Sequence, residues 1–376
     1  MSGGVARVGR WFDYFMESGT RLGDFFLEHF AGGPRSVLVV MARSFDPRST
    51  LGLELLVSAG GEGARDVRLI TYAEEGMTGS PELAARVESN EARVRELVEG
   101  KGEVTEHMLE FYSGGRRVAS QRASEIMTRF DQIEPYTDVV VDVSGMPRGV
   151  FFPMIARLLH LIDESRRKSG RDRPNLFILV AEDPGLDAAI TQEGIEEFAD
   201  YVATFRGAFD QEARSNVPKV WIPILGENRQ IQLERIYDLV KPDEICPVLP
   251  SPAKDPRRAD NIMRDYHDLL FNQLVVDPRN IVFAAERNPF EVYRTLREVV
   301  LHYDDALAPL GGSRMALSSL SSKLMSLGTL LAAYELKRSG LKVAVAHVDS
   351  QQYSLQRPIL DSEVFGLWLA GECYEQ

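Results

Sequence analysis

Short unbroken apolar runs alternate along this chain with longer stretches whose apolar residues recur at helical spacing. "SVLVVMA" (36–42), "DVRLITYA" (66–73), residues 104–112, "TDVVVDVS" (137–144) and "NLFILVA" (175–181) are the runs of the first half. Such runs are too short to be helices and are rich in β-branched residues, so they predict strands buried on both faces. Between them the helical period predicts helices over 51–58, 118–134 and 149–168. Another opens at "SPELAARVESNEARVRELVEG", where Ser-Pro followed by Glu is a helix start. The alternation then begins again. Strands are predicted at "KVWIPILG" (219–226), "EICPVLP" (244–250), "NIVFAAE" (280–286), "RMALSSL" (314–320) and "KVAVAHVD" (342–349). Helices are expected at 229–240, in "SPAKDPRRADNIMRDYHDLLFN", in "NPFEVYRTLREVVLHYDDAL" and over 322–338.

Strands alternating with helices define an α/β class built of parallel βαβ units. The halves 34–185 and 218–350 match element for element, which predicts two tandem Rossmann-like domains with a parallel sheet each, in pseudo-twofold relation. The expected organisation is a helical segment over 1–33, a first domain over 34–185, a linker over 186–217 and a second domain with a C-terminal tail over 218–376. Within the first segment, "VGRWFDYFMESGTRLGDFFLEHFA" (8–31) sets Trp11, Phe15, Leu22, Phe26 and Phe30 on a helical period, predicting one amphipathic helix with a buried stripe. That stripe serves either its own domain or the docking of another chain.

Ligands of open parallel sheets lie outside the carboxyl ends of the strands, where the strand order reverses. The residues just past each strand are therefore the candidates. In the first half they include Ser44, Asp46 and Arg48 after strand one, and Asp142, Ser144, Gly145 and Arg148 after strand four. In the second half they include Glu286 and Asn288 after strand three, and Ser319, Ser321, Ser322 and Lys323 after strand four. "DVSGMPRG" and "SSLSSKLMSLG" make the same move twice: a strand, a small-residue turn, a cation and a long helix. Free backbone amides and the positive end of the helix favour an anion there, and Arg148 or Lys323 adds charge-assisted donors. A helix cap beside a solvated cation is the plainer reading of either turn taken singly, because serine is an ordinary cap.

Composition narrows the classes. The 376 residues carry a formal net charge of −13, which argues against coating nucleic acid and leaves room for a small anion held locally. Cys246 and Cys373 stand far apart without histidine or cysteine at metal spacing, so a reducing, cytoplasmic setting is expected, with no metal and no cofactor. No apolar run reaches membrane-spanning length. Motifs for a nucleophile elbow, a phosphate-binding loop, a dinucleotide fingerprint or a zinc protease helix are missing. His160, His302 and His347 read as structural, and Ser144 as a nucleophile lacks an evident base.

The small-residue turn with a basic residue, feeding a long apolar helix at 142–148 and again at 318–323, resembles the CARF domains of prokaryotic immunity. Two such units in one chain resemble the SAVED arrangement. CARF turns typically read Thr-Gly-Gly-Thr-Lys; here they read Ser-Gly-Met-Pro-Arg and Ser-Leu-Ser-Ser-Lys. The resemblance implies a sensor of a cyclic or linear oligonucleotide, or another phosphorylated ligand, held between the two domains. It implies a signal passed to a separate effector chain or through a homo-oligomer. Two other readings stay open: an enzyme acting on a nucleotide or sugar phosphate through Ser44, Asp46, Arg48, Asp142 and Ser144, and a ligand-free docking subunit.

Overall fold

The computed structural model describes residues 9–73, 81–114, 116–169, 174–183, 190–195, 198–207, 209, 217–348, 350–355 and 362–374. The chain forms two compact units. The first is Tyr14–Gly194 with Ser350–Gln376, and the second is Met1–Asp13 with Ile195–Asp349.

In chain order the first unit opens with β1 (Phe15–Ser18), α1 (Gly19–Ala31), β2 (Val37–Ala42), α2 (Leu51–Ser58), β3 (Arg65–Ala73), α3 (Pro81–Val98) and β4 (Val104–Glu110). A hairpin of β5 (Tyr112–Ser113) and β6 (Arg116–Arg117) leads to α4 (Ala119–Glu125), β7 (Asp138–Asp142), α5 (Arg148–Ser169), β8 (Asn175–Glu182) and β9 (Ile190–Ile195). The second unit runs through β10 (Asp200–Tyr201), β11 (Lys219–Ile224), α6 (Gln230–Val240), β12 (Glu244–Ile245), β13 (Val248–Pro250), α7 (Arg258–His267) and β14 (Val282–Ala284). It closes with α8 (Pro289–Leu307), β15 (Arg314–Ser319), α9 (Lys323–Arg338) and β16 (Val343–His347). Strands β17 (Ser350–Leu355) and β18 (Glu363–Ala370) return to the first unit.

The first sheet has the order β1-β18-β8-β7-β2-β3-β4, and the second the order β10-β16-β15-β11-β13-β14. Strands β8-β7-β2-β3-β4 are parallel, and so are β16-β15-β11-β13-β14. Numbered by appearance, both parallel cores read five-four-one-two-three, the doubly wound Rossmann-like order. Each then adds antiparallel strands beyond strand five: β18 and β1 in the first unit, β10 in the second. The predicted runs 137–144 and 314–320 form strand four of their parallel cores, each with a neighbour on both sides. Residues of β7 and β15 are buried throughout, as continuous apolar runs require when helices cover both faces. In the first unit Val37, Val39, Met41, Val67 and Leu69 pack with Leu22, Phe26, Phe30, Leu53 and Val94 of α1, α2 and α3. In the second, Trp221, Leu249, Ala316 and Ala344 pack with Leu233 and Ile236 of α6 and with Ile262 and Tyr266 of α7.

The expected N-terminal helix is shorter than its periodicity. Phe15–Ser18 is a strand pairing with Trp368–Phe365, and the Phe15 ring lies 5.9 Å from that of Trp368. Pairing with a partner near the other end of the chain outweighs local helical spacing, and Gly19 at φ 56° turns the chain into α1. Trp11, Leu22, Phe26 and Phe30 are buried and Phe15 is half-buried, but Trp11 belongs to the second unit. The tail expected in the second domain instead supplies β18 to the first sheet. The stretch expected as a linker holds β9 and β10, and part of it lies outside the described residues. The helix expected over 118–134 stops at Glu125 and resumes as a single turn at Phe130–Gln132. The Gln132 side chain captures the amides of Thr128 (2.8 Å) and Arg129 (3.0 Å), which breaks the ladder there.

Candidate functional site

The strand order reverses between β2 and β7 in the first unit and between β11 and β15 in the second, so the turns after these four strands define two crevices. In each unit a glycine lets the two turns touch. A side chain on Gly145 would start 2.7 Å from Ser44 Cβ, and one on Gly226 would start 2.0 Å from the Leu320 carbonyl oxygen.

The first crevice is engaged by the protein's own groups. Arg48 donates through Nε (3.0 Å) and through its terminal nitrogen (2.8 Å) to the two oxygens of Asp46, and both side chains are buried. The Ser44 hydroxyl accepts from the Asp46 amide at 3.1 Å. Asn90 reaches back from α3 to the carbonyls of Ser44 (2.9 Å) and Asp46 (3.0 Å) and to the Ser49 hydroxyl (3.2 Å). The Arg43–Glu91 pair at 2.5 Å ties the same turn to α3, and hydrogen bonds from Arg43 and Arg95 hold the Glu91 carboxyl below its ordinary range. Asp142, 1% exposed, accepts from the Ser144 amide at 2.8 Å. Its other oxygen lies where a Gly52 side chain would begin, 2.2 Å from that position and against the first turn of α2. The carboxylate thus sits at the amino end of a helix, where an anion is stabilised by the backbone dipoles. Ser144 is equally enclosed, its hydroxyl accepting from the Ala181 amide at 2.9 Å on the end of β8. Of the candidates here, Asp46, Arg48, Asp142 and Ser144 are buried parts of the turn, whereas Ser44, Gly145 and Arg148 retain exposure. In the set read from the sequence as an alternative catalytic site, Asp46 and Arg48 bond to each other and Asp142 and Ser144 bond to backbone amides.

In the second crevice, Trp221 donates to Ser318 Oγ at 3.0 Å, and Ser319 and Ser326 hydroxyls meet at 3.0 Å. Ser322 caps α9 by accepting from the Met325 amide at 3.2 Å. Lys323 is the first residue of that helix and is partly exposed, as is Ser322. Ser321 is 7% exposed. On the facing turn, Tyr266 donates to the Gly226 carbonyl (2.6 Å) and accepts from the Arg229 amide (2.9 Å), a wholly buried phenol whose pKa burial drives up. The chain order fixes this meeting: β15 delivers the serines at its carboxyl end, and α9 begins immediately after.

Glu286 and Asn288 do not join that set. They follow β14, and β13 separates β14 from β11. Glu286 pairs with Arg258 and accepts from the Lys254 amide at 3.1 Å, fastening the loop before α7. Asn288 caps α8, accepting from the amides of Phe290 (3.0 Å) and Glu291 (3.2 Å). Asn-Pro at a helix start was the signal for that role. Sequence reading missed Asn90, mid-helix on α3, and Tyr266, next to the last residue of α7, with no motif to mark them. Among the described residues no group of three or more His, Cys, Asp or Glu is placed to hold a metal ion. Among them, too, no helix is long and apolar enough to cross a membrane.

No family model matches the chain. No curated protein matches it either. Solved structures with some similarity include a universal stress protein from Archaeoglobus fulgidus, at 12% identity over 82% of this chain and 95% of that one, with a TM-score of 0.24. A cyclopropane synthase from Mycobacterium tuberculosis matches at 11% identity over 93% and 83%, with a TM-score of 0.24. The UDP-GlcNAc 2-epimerase of Neisseria meningitidis, bound to UDP-GlcNAc, matches at 11% identity over 77% and 78%, with a TM-score of 0.20. Likenesses this weak carry no functional argument.

Proposed function

We propose that this protein is a sensor of an anionic, nucleotide-derived ligand, received at the amino end of α9 and signalled to a separate effector chain. In this reading the two units, alike in strand order, act as a tandem CARF-like pair in a prokaryotic defence system. The observation that carries it is the meeting of Ser319, Ser321, Ser322 and Lys323 with a sixteen-residue helix at the reversal of strand order. Serine hydroxyls, a cation and a helix amino end are the ingredients of a phosphate site. In the first crevice the protein's own Asp142 carboxylate stands at the amino end of α2, the helix after strand one, while the turn that corresponds to the head of α9 is the one before α5. In this reading the anion contacts fall to the second crevice. The Asp46–Arg48 pair, and the bonds of Asp142 and Ser144 to backbone amides, speak against the enzyme reading.

The test is calorimetric titration with cyclic oligonucleotides and nucleoside phosphates, for the wild type, Lys323→Glu and Arg148→Glu. A unit charge pair at ~4 Å in an effective dielectric of about 20 is worth roughly 4 kcal/mol, so Lys323→Glu abolishes micromolar binding. Arg148→Glu, in the crevice that already holds its own carboxylate, weakens it less. Failure of the wild type to bind anything in the panel, or equal binding by Lys323→Glu, overturns the proposal in favour of a docking subunit.

A further inference from the structure

The helix that opens at the candidate anion turn holds the N-terminal segment at its other end. Residues 9–13 belong to the second unit, and there Trp11 is fully buried, its ring 5.4 Å edge-on from Tyr293 of α8 and 6.4 Å from Tyr334 of α9. The Arg10 amide donates to Glu335 Oε2 at 3.0 Å, near the carboxyl end of α9. The same carboxylate accepts from the Tyr293 hydroxyl and, at 3.1 Å, from Arg297 Nε. Arg294 donates to the Phe12 carbonyl, and its guanidinium lies 5.4 Å from the Phe12 ring. Gly9 fits only without a side chain, since a Cβ would start 2.2 Å from the Tyr293 hydroxyl oxygen. Just past this segment the chain enters β1, which pairs with β18 in the first unit.

We infer that residues 9–13 are a releasable latch held from the carboxyl end of α9, so that occupancy of the amino-end turn of that helix is reported at the N-terminus. The inference rests on the proposed function only for what shifts α9. Its basis is that one rigid helix carries both attachments, with apolar packing along most of its length. A buried tryptophan and one shared carboxylate form the centre of the anchor: losing Glu335 takes the acceptor from the Tyr293 hydroxyl and from the Arg10 amide together. By linkage, a ligand that loosens or tightens the latch is itself bound more or less tightly by the same factor when the latch is cut.

Trypsin cleavage at the Arg10–Trp11 bond of the full chain, followed by mass spectrometry, reads the docked state. Gly9→Val, whose side chain meets the Tyr293 hydroxyl and dislodges the segment, and Glu335→Ala, which removes the shared carboxylate, each raise cleavage at Arg10 by about tenfold or more, since cleavage follows local opening. Cleavage at Arg10 as fast in the wild type as in Gly9→Val, or unchanged in Glu335→Ala, overturns the latch. Inorganic pyrophosphate is the probe for coupling, with binding checked by calorimetry. Bound pyrophosphate changes the Arg10 cleavage rate in the wild type and leaves Lys323→Glu unaffected. Binding without any change at Arg10 refutes the coupling and spares the sensor reading. Absence of pyrophosphate binding counts against the anion turn and with it the coupling, while the latch itself stands or falls on Gly9→Val and Glu335→Ala.

Discussion

Gly52→Ala sets two physical effects against each other, and the sign of the result decides between them. Gly52 lies in the first turn of α2, where helix propensity predicts that alanine stabilises by up to about 1 kcal/mol. The added methyl, however, starts 2.2 Å from Asp142 Oδ2 and 3.1 Å from Leu179 Cδ1. Neither neighbour gives easily, because Asp142 is 1% exposed and holds the Ser144 amide at 2.8 Å, while Leu179 is 0% exposed within β8. Overpacking of this kind costs about 1–3 kcal/mol, and weakening a buried carboxylate hydrogen bond adds roughly 1–3 kcal/mol. The net expectation is destabilisation by about 2 kcal/mol, or a fall in Tm of roughly 4–8 °C for a unit of this size. Urea and thermal denaturation of wild type, Gly52→Ala, Asp142→Ala and the double variant complete a cycle. With the carboxylate gone, Gly52→Ala costs less by about 1 kcal/mol or more, since only the Leu179 contact remains. A Gly52→Ala protein as stable as wild type, or costs that simply add, refutes the placement of the Asp142 carboxylate against α2 and the contrast drawn between the two crevices.

Asp138, at the amino end of β7, is wholly buried; burial pushes its pKa up, but the bond and charge of His29, 2.8 Å away, with Asn175 and Thr137, hold it below the usual carboxylate range. A depressed folded pKa gives stability present above the ordinary value and lost as pH falls through the folded one, so the urea midpoint gap between wild type and Asp138→Asn is largest near neutrality and closes below about pH 4. A gap independent of pH counts against that assignment. Asp46→Ala leaves the buried Arg48 guanidinium without the Asp46 counter-charge, at a cost of about 3–5 kcal/mol, and combining Asp46→Asn with Arg48→Met recovers much of it. Loss of less than about 1 kcal/mol in Asp46→Ala, by urea midpoint, disproves the structural role. Ser144→Ala removes one bond to the Ala181 amide, costing about 1 kcal/mol; if any turnover of a nucleotide is found, its rate is unchanged in that variant.

How far the sequence revealed this molecule depends on the range of the interactions that fixed each part. The parallel core strands were legible because "VLVVMA", "DVVVD" and "RMALSS" must be buried on both faces, a demand each segment carries within itself. The capping Ser322 was legible for the same reason, being a contact between residues three apart. Strand β1 was not, because Phe15–Ser18 becomes a strand only through Phe365–Trp368, and helical spacing of its aromatics misled in the meantime. Strand β18 was unread because an antiparallel strand added after a complete βαβ series has no place in the alternation that revealed the others. The candidate site divides along the same line. Residues past the strands were found from topology, yet whether Asp46 and Arg48 face a ligand or each other is set by rotamers and by Asn90, 44 positions away from Asp46. A position at the carboxyl end of a strand therefore names a candidate, and only the hydrogen-bond partners decide whether it is scaffold or site. Ser322 and Lys323 keep partial exposure at the head of α9, whereas Asp46 and Asp142 of the first crevice are buried, and that difference in exposure is why the proposed site is placed at α9.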